Sequence, residues 1–300
     1  MIDYKHPKHA SFRKLTSLGV GGCPLGFFQV HTIKGLERLI EEKELNKAEV
    51  RLIGRGTNLL VMEGDLHFYA IALKGDFSNV NLLSDATEAV LLEAYAGASL
   101  QLLSKRSMCL GASGLEFAFT IPGSLGGALR MNAGAYGMAM GEVVDSITVY
   151  DMDVGQYKLV PADEFLFGYR RFDWTNGRRK RFFFIKAVLK LKKDDKVAIR
   201  DRMKNYIELR KSTQPVNVRS CGCVFKNPGP NLPTAGKFID LAGLKGFSIG
   251  GALISPEHAN FFINTGEASA EDFLRLIDVS KERVFKQHGV LLEEEIEIWR

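Results

Sequence analysis

Cysteine is sparse. Four residues, Cys23, Cys109, Cys221 and Cys223, are spread through 300 positions, and no pair has the gap of a zinc knuckle, since only Gly222 separates Cys221 from Cys223. The six histidines likewise lack metal-ligand spacing, so no metal is expected. So few scattered thiols suit a reducing compartment. No apolar run reaches the roughly 18 residues of a membrane span. The opening MIDYKHPKHASFRK lacks the apolar core of a signal peptide, so a cytoplasmic chain without a membrane partner is expected. A net charge of +5, from 40 basic against 35 acidic residues, is too mild to argue for nucleic acid but suits anionic small molecules. Repeats and low-complexity tracts are missing. No G-x-G-x-x-G opens a helix and no glycine loop ends in G-K-[ST], which removes the Rossmann fingerprint and the Walker loop, and with the latter most support for nucleotide triphosphate hydrolysis.

Glycine, by contrast, is concentrated. The stretch Gly111 to Gly137, GASGLEFAFTIPGSLGGALRMNAGAYG, contains seven of the 30 glycines, with Glu116 and Arg130 as its only formal charges. Glycine loses the most conformational freedom on folding, so such a density needs a cause. One cause is a set of tight turns and close strand crossings. The other is a bed of backbone N–H groups that a phosphate can approach without obstruction. Pro122-Gly123-Ser124, Gly126-Gly127 and Asn132-Ala133-Gly134-Ala135 favour the second, and the lack of charge suits a large, mostly neutral cofactor.

Three hundred residues of ordinary globular composition (46% hydrophobic, 25% charged) can form two or three domains with real cores. Gly26 to Val30 reads as a strand, and Thr32 as the cap of a helix bearing Leu36, Leu39 and Ile40. Val50 to Ile53 reads as a strand ending in Gly54-Arg55-Gly56-Thr57-Asn58 before Leu59 to Met62, a glycine turn whose N–H groups are either merely a turn's or open to a ligand. Phe68 to Leu73, Ala89 to Tyr95, Val143 to Tyr150 and Phe182 to Leu191 read as strands, and Ser99 to Cys109 as a helix. The basic run Arg178-Arg179-Lys180-Arg181 is expected to be a solvated turn, or less readily a phosphate-steering patch. Asp194 to Ser212 is a charged, helical seam with Met203, Ile207 and Arg210 on one side. Ser220 to Ile263 reads as short strands and turns, including Gly236 to Asp240. Ser269 to His288 reads as a helix opened by a Ser269/Asp272 capping box. Val290 to Trp299 reads as a final strand with Ile296 and Ile298 on one face and Glu293, Glu295 and Glu297 on the other.

Three places could carry chemistry. In Phe167-Gly168-Tyr169-Arg170 the arginine fork could pair with a carboxylate or phosphate, or simply form a surface ion pair. Ser220-Cys221-Gly222-Cys223 brings a thiol next to Lys226 and Asn227. That thiol is either a proton-transfer group tuned by a nearby cation or an inert buried cysteine. Glu295 is one of three carboxylates that alternation cannot tell apart.

Taken together, these blocks resemble the UDP-N-acetylenolpyruvoylglucosamine reductase family. The resemblance covers nearly the whole chain and rests on Gly54-Arg55-Gly56-Thr57-Asn58-Leu59-Leu60-Val61, Gly114 to Phe117, Ile121 to Ala128, Met131 to Gly137, Phe167 to Arg170, Thr213-Gln214-Pro215, Val224 to Pro228, Leu241 to Gly246 and His258 to Phe261. Any one block is weak; their order is specific. The resemblance implies an α+β fold, with a vanillyl-alcohol-oxidase-type FAD-binding domain of two α+β subdomains over residues 1–195, divided near 75, and a C-terminal α+β substrate-binding domain over 196–300. FAD would be held by Gly54, Arg55, Gly56, Thr57, Asn58 and Leu59, by Pro122, Gly123, Ser124, Gly126 and Gly127, and by Asn132, Ala133, Gly134, Ala135 and Gly137. Tyr169, Lys226 and Asn227 would bind the substrate. The short segment between Arg170 and Thr213 lacks a tyrosine-bearing insertion, which resembles the type II subclass.

The implied reaction belongs to peptidoglycan precursor synthesis. NADPH is the co-substrate, and hydride is delivered through FAD to the vinyl methylene carbon of a UDP-N-acetylglucosamine enolpyruvate. Arg170 and Glu295 would stabilise the resulting enolate. One departure concerns the proton donor, usually a serine in this family, for which Cys223 stands here. A neutral thiol could donate; a thiolate beside Lys226 could not. Two rivals remain: another FAD oxidoreductase on the same scaffold, which would consume oxygen without the sugar nucleotide, and a flavin-free sugar-nucleotide binder, which would be colourless.

Overall fold

A computed structural model describes residues 1–5, 10–42, 48–175 and 181–300. Arg178, Arg179 and Lys180 of the basic run lie outside these residues. The chain divides into two compact units, each assembled from separate segments. The first comprises Met1–Tyr4, Phe28–Gly54 and Ala70–Leu209; the second comprises Lys5–Phe27, Arg55–Tyr69 and Arg210–Arg300. A four-stranded sheet runs in the order Ile2–Lys5, Cys23–Val30, Asp65–Leu73, Glu49–Leu52, and unit boundaries fall inside three of these strands.

The first unit is built on a sheet ordered Gln156–Pro161, Val144–Asp151, Phe182–Lys193, Ala89–Tyr95, Val80–Asp85, with Ala112–Ser113 also pairing to the central Phe182–Lys193 strand. The central strand is rich in β-formers, and Phe183, Ile185, Ala187, Leu189 and Leu191 are buried. Its α-helices among the described residues are α1 (Ile33–Glu41), α2 (Leu100–Cys109), the short α3 (Leu125–Arg130) and most of α4 (Lys196–Thr213). Thr32 caps α1 as expected, accepting from Gly35 N–H at 3.1 Å.

Helix α4 is charged, and Ile199 and Met203 are its only buried residues, so little apolar burial holds it in place. Polar anchoring does that work. Arg202 donates from Nε and Nη2 to Glu116 Oε1 at 3.1 and 2.8 Å and also pairs with Asp194. Glu116 is 2% exposed and accepts further from Ser113 Oγ and Gly114 N–H, both at 2.8 Å. Burial pushes its carboxyl upward, but the bonds from Gly114, Arg202 and Ser113 outweigh that and leave it below the ordinary glutamate range. A depressed folded-state value means stability that is present above the unfolded value and lost as pH falls through the folded one. Glu116→Gln is expected to cost about 2 kcal/mol near neutrality, with the deficit shrinking below about pH 4. Urea titrations of both proteins from pH 7 to 3 check this, and a pH-independent deficit would contradict it.

The second unit packs α5 (Ala235–Leu241) and α6 (Ala270–His288) with a sheet ordered Arg219–Cys223, Phe261–Asn264, Ala252–Ile254, Ser248–Ile249. Its core gathers Leu18, Val20, Leu60, Val224, Phe225, Phe238, Phe262, Phe273 and Ile277. The Gly236 to Asp240 segment, expected among strands and turns, lies inside α5, where Thr234 caps by accepting from Lys237 N–H. The continuous final strand is also corrected. Only Glu297–Trp299 is strand, parallel to Leu59–Val61, while Val290 to Ile296 is irregular except for a Phe225/Glu294 bridge. Trp299 is gripped edge-on by Phe12 and Phe68, at 5.6 and 5.5 Å between ring centroids.

Candidate functional site

The two readings of the glycine stretch divide glycine by glycine. Within the stretch a Cβ on Gly126 would lie 3.1 Å from Ala96 Cβ and one on Gly134 2.5 Å from Met138 O; outside it, one on Gly54 would lie 2.5 Å from Ser124 Oγ. Close packing against backbone requires glycine at 134, while Gly126 is tightly packed and Gly54 faces a serine hydroxyl, all within the first unit. Gly123 and Gly127 differ, with nearest neighbours at 3.4 and 3.7 Å, and Gly137, at φ +81°, has nothing within 4 Å. Gly127 and Gly137 are also exposed. Bare, uncharged backbone, open at Gly137 and uncrowded at Gly123 and Gly127, is what a flat, mostly neutral ring system needs, so these residues fit a flavin.

Arg170 occupies the second turn position of a hairpin, Phe165–Gly168 with Arg171–Trp174, in which Gly168 pairs with Arg171. Aromatic rings fasten the hairpin: Phe165 meets Trp174 at 4.7 Å and Phe172 at 4.9 Å, and Phe172 meets Phe184 at 5.1 Å. Arg170 itself has φ +52°, left-handed backbone that costs a non-glycine residue about 1 kcal/mol. Its Nη2 donates to Gly134 O at 2.9 Å, and its guanidinium lies 5.2 Å from the centre of the Tyr169 ring. Tyr169 is more than half exposed. Asn132, 6% exposed at φ +41°, donates from Nδ2 to Gly168 O and accepts at Oδ1 from Gly141 N–H, both at 2.8 Å. Tyr136, at φ +56°, stacks on Tyr206 of α4 at 4.2 Å and donates its hydroxyl to Tyr206 O at 2.9 Å. The sequence marks Asn132 for the cofactor, yet its side chain is bonded within the protein.

In the second unit Cys223 ends a strand rather than sitting in a turn. Gly222, at φ +81°, lies where the pairing with Phe261–Asn264 slips, which lets the strand bulge and leaves Cys223 half-buried. Cys221 on the same strand is 3% exposed, and burial, with Cys223 and Glu295 nearby, pushes its thiol up to about 12. It stays a neutral core residue. Beyond Cys223, Val224 O accepts from Glu295 N–H at 2.8 Å, and Asn58 Nδ2 donates to Glu295 O at 3.1 Å. Asn58, another position marked for the cofactor, thus braces the Glu295 backbone. Gly56 O likewise accepts from Ser17 N–H at 2.9 Å, and a Cβ on Gly56 would meet Leu15 O at 2.2 Å.

The structure also separates the carboxylates that alternation leaves equivalent. Glu293 pairs with Lys226, Glu294 pairs with Lys281, and Glu297 is exposed, whereas Glu295 is half-buried beside the Cys223–Val224 segment. Lys226 therefore faces Glu293, and Asn227 accepts from Ala235 N–H at 3.0 Å while its residue surface is exposed. Asn260, 2% exposed, is the brace that side-chain reasoning missed. It accepts from Phe225 N–H at 2.9 Å, donates to Phe225 O at 2.8 Å, and its own carbonyl accepts from Val224 N–H at 2.8 Å. Among the described residues no cluster of His, Cys, Asp or Glu could hold a metal ion.

Comparison with known proteins puts this geometry in context. A family model described as an FAD-binding domain matches residues 24–158, and the fold and site thus define an FAD-dependent oxidoreductase. A second, described as the C-terminal domain of UDP-N-acetylenolpyruvoylglucosamine reductase, matches residues 214–299. The protein of that name from Thermotoga maritima is 37% identical over 291 residues, covering 96% of this chain and 98% of its own. The one from Prochlorococcus marinus is 33% identical, covering 99% and 98%. The crystal structure of the Thermus caldophilus reductase matches with a TM-score of 0.82 at 34% identity, covering 100% of this chain and 99% of that one. The chain belongs to the UDP-N-acetylenolpyruvoylglucosamine reductase family.

Proposed function

We infer that this protein reduces UDP-N-acetylglucosamine enolpyruvate to UDP-N-acetylmuramate with NADPH. The observation that carries this reading is family membership extending over both halves, from the FAD-binding match at 24–158 to the C-terminal match at 214–299. Bound FAD supplies the two-electron relay between the nicotinamide and the vinyl methylene carbon.

The chain's own residues do the rest. Gly123, Gly127 and Gly137 offer bare backbone to the cofactor. Arg170, fixed by its hairpin, provides positive charge for the enolate that forms when the methylene carbon takes the hydride. Cys223 gives the adjoining carbon its proton, and Glu295 joins Arg170 in stabilising the enolate. Tyr169, Lys226 and Asn227 bind the sugar nucleotide. The 1–195 and 196–300 division, the reaction's place in cytoplasmic peptidoglycan precursor synthesis, and operation without nucleic acid or membrane partners belong to the same reading. No helix among the described residues is long and apolar enough to cross a membrane.

The purified yellow protein should oxidise NADPH in proportion to added enolpyruvyl sugar nucleotide. Equal oxidation without it, drawing on oxygen, would point to another flavoprotein of this scaffold. A colourless protein that cannot be reconstituted with FAD would point to a binder.

A further inference from the structure

Three of the four non-glycine residues with left-handed φ among the described residues, Asn132, Tyr136 and Arg170, lie in the first unit, where hydrogen bonds tie the Asn132–Gly134 segment to the Gly168–Arg170 turn. Left-handed backbone persists where the surroundings over-determine it, so what holds this turn matters to whatever Arg170 does. We propose that Asn132 is the positioning residue for Arg170, clamping the arginine's hairpin turn to the floor of the glycine stretch.

The geometry is specific. Asn132 Nδ2 donates to Gly168 O, two residues before Arg170, while Oδ1 accepts from Gly141 N–H. A carbonyl on one side and an N–H on the other fix the amide's orientation. Gly141 is itself pressed against the hairpin, since a Cβ there would lie 2.5 Å from Phe167 Cβ. The amide therefore joins two segments that already touch, and it sets the height of the turn. Arg170 closes the loop by donating back to Gly134 O, two residues after Asn132. Asparagine suits the post because its short amide tolerates φ +41° and carries both a donor and an acceptor. Aspartate keeps the shape but sets an oxygen against Gly168 O.

This rests on the reading that Arg170 acts on the enolate. The test compares Asn132→Asp, Asn132→Gly, Arg170→Ala and the Asn132→Asp/Arg170→Ala double variant. FAD content, reduction by NADPH, oxidation by the sugar nucleotide and amide exchange are measured for each. Both Asn132 variants should keep FAD and reduce normally, yet be oxidised by substrate about tenfold or more slowly, with faster exchange at Tyr169 to Arg171. The double variant should be no slower than Arg170→Ala alone. Slow Arg170→Ala beside normal Asn132 variants overturns this inference alone, as does loss of FAD in both Asn132 variants or a multiplicative double variant. A normal Arg170→Ala overturns the Arg170 reading and this inference together. Asn132→Gly, which accepts left-handed backbone freely, keeps the test open should Asn132→Asp not fold.

Discussion

Arg170→Ala should slow substrate reduction by about 10²- to 10³-fold, the loss seen when one preorganised group is removed from a developing oxyanion. FAD content and the NADPH half-reaction should stay within about twofold, because charge gathers on the substrate only after hydride has reached its methylene carbon. Stopped-flow measurement of the two halves separates these effects. Arg170→Lys should recover only part of the rate, since an ammonium lacks the planar fork that can bridge two oxygens. The backbone adds an independent signature. At φ +52° alanine is strained and glycine is not, so Arg170→Gly should be about 1 kcal/mol more stable than Arg170→Ala yet equally inactive. Equal loss in both half-reactions would recast Arg170 as a scaffold residue.

Cys223 should divide its variants by chemistry. Cys223→Ala is expected to lower turnover about 10²- to 10⁴-fold, the range for loss of a positioned acid, while Cys223→Ser stays within about tenfold of the parent. The other thiol on the strand is no substitute, because Cys221 is buried with its ionisation pushed up to about 12 and is 3% exposed. Alanine and serine variants that both match the parent would remove Cys223 from the reaction.

Local signals in the chain were legible where they had a short-range physical cause. The Ser269/Asp272 capping box is present, each side chain accepting from the other's N–H at 3.1 and 3.0 Å, and Gly289 ends α6 at φ +68°. Thr32 and the strand Ala89–Tyr95 read correctly for similar reasons. Helix α5 was hidden because seven residues hold barely two turns of periodicity, although Thr234 marked its start. The acidic tail misled in the opposite sense. Alternating Glu and Ile imitates a strand, but one carboxylate pairs with Lys226 and the next with Lys281, so neighbouring residues turn to different partners. In the site, Asn132 and Asn260 were readable as residues but not as braces. Their amides bond backbone 36 and 35 positions away, and no spacing rule reaches that far.

The parallel pairing of Leu59–Val61 with Glu297–Trp299, backed by the Asn58 bond to Glu295 across 237 positions, carries a consequence for biosynthesis. During translation the early strand leaves the ribosome long before its mate exists, and Phe12 and Phe68 wait without the Trp299 ring that packs edge-on against both. The second unit therefore cannot complete this packing until Glu297–Trp299 has emerged, which leaves apolar surface of the early segments uncovered until then.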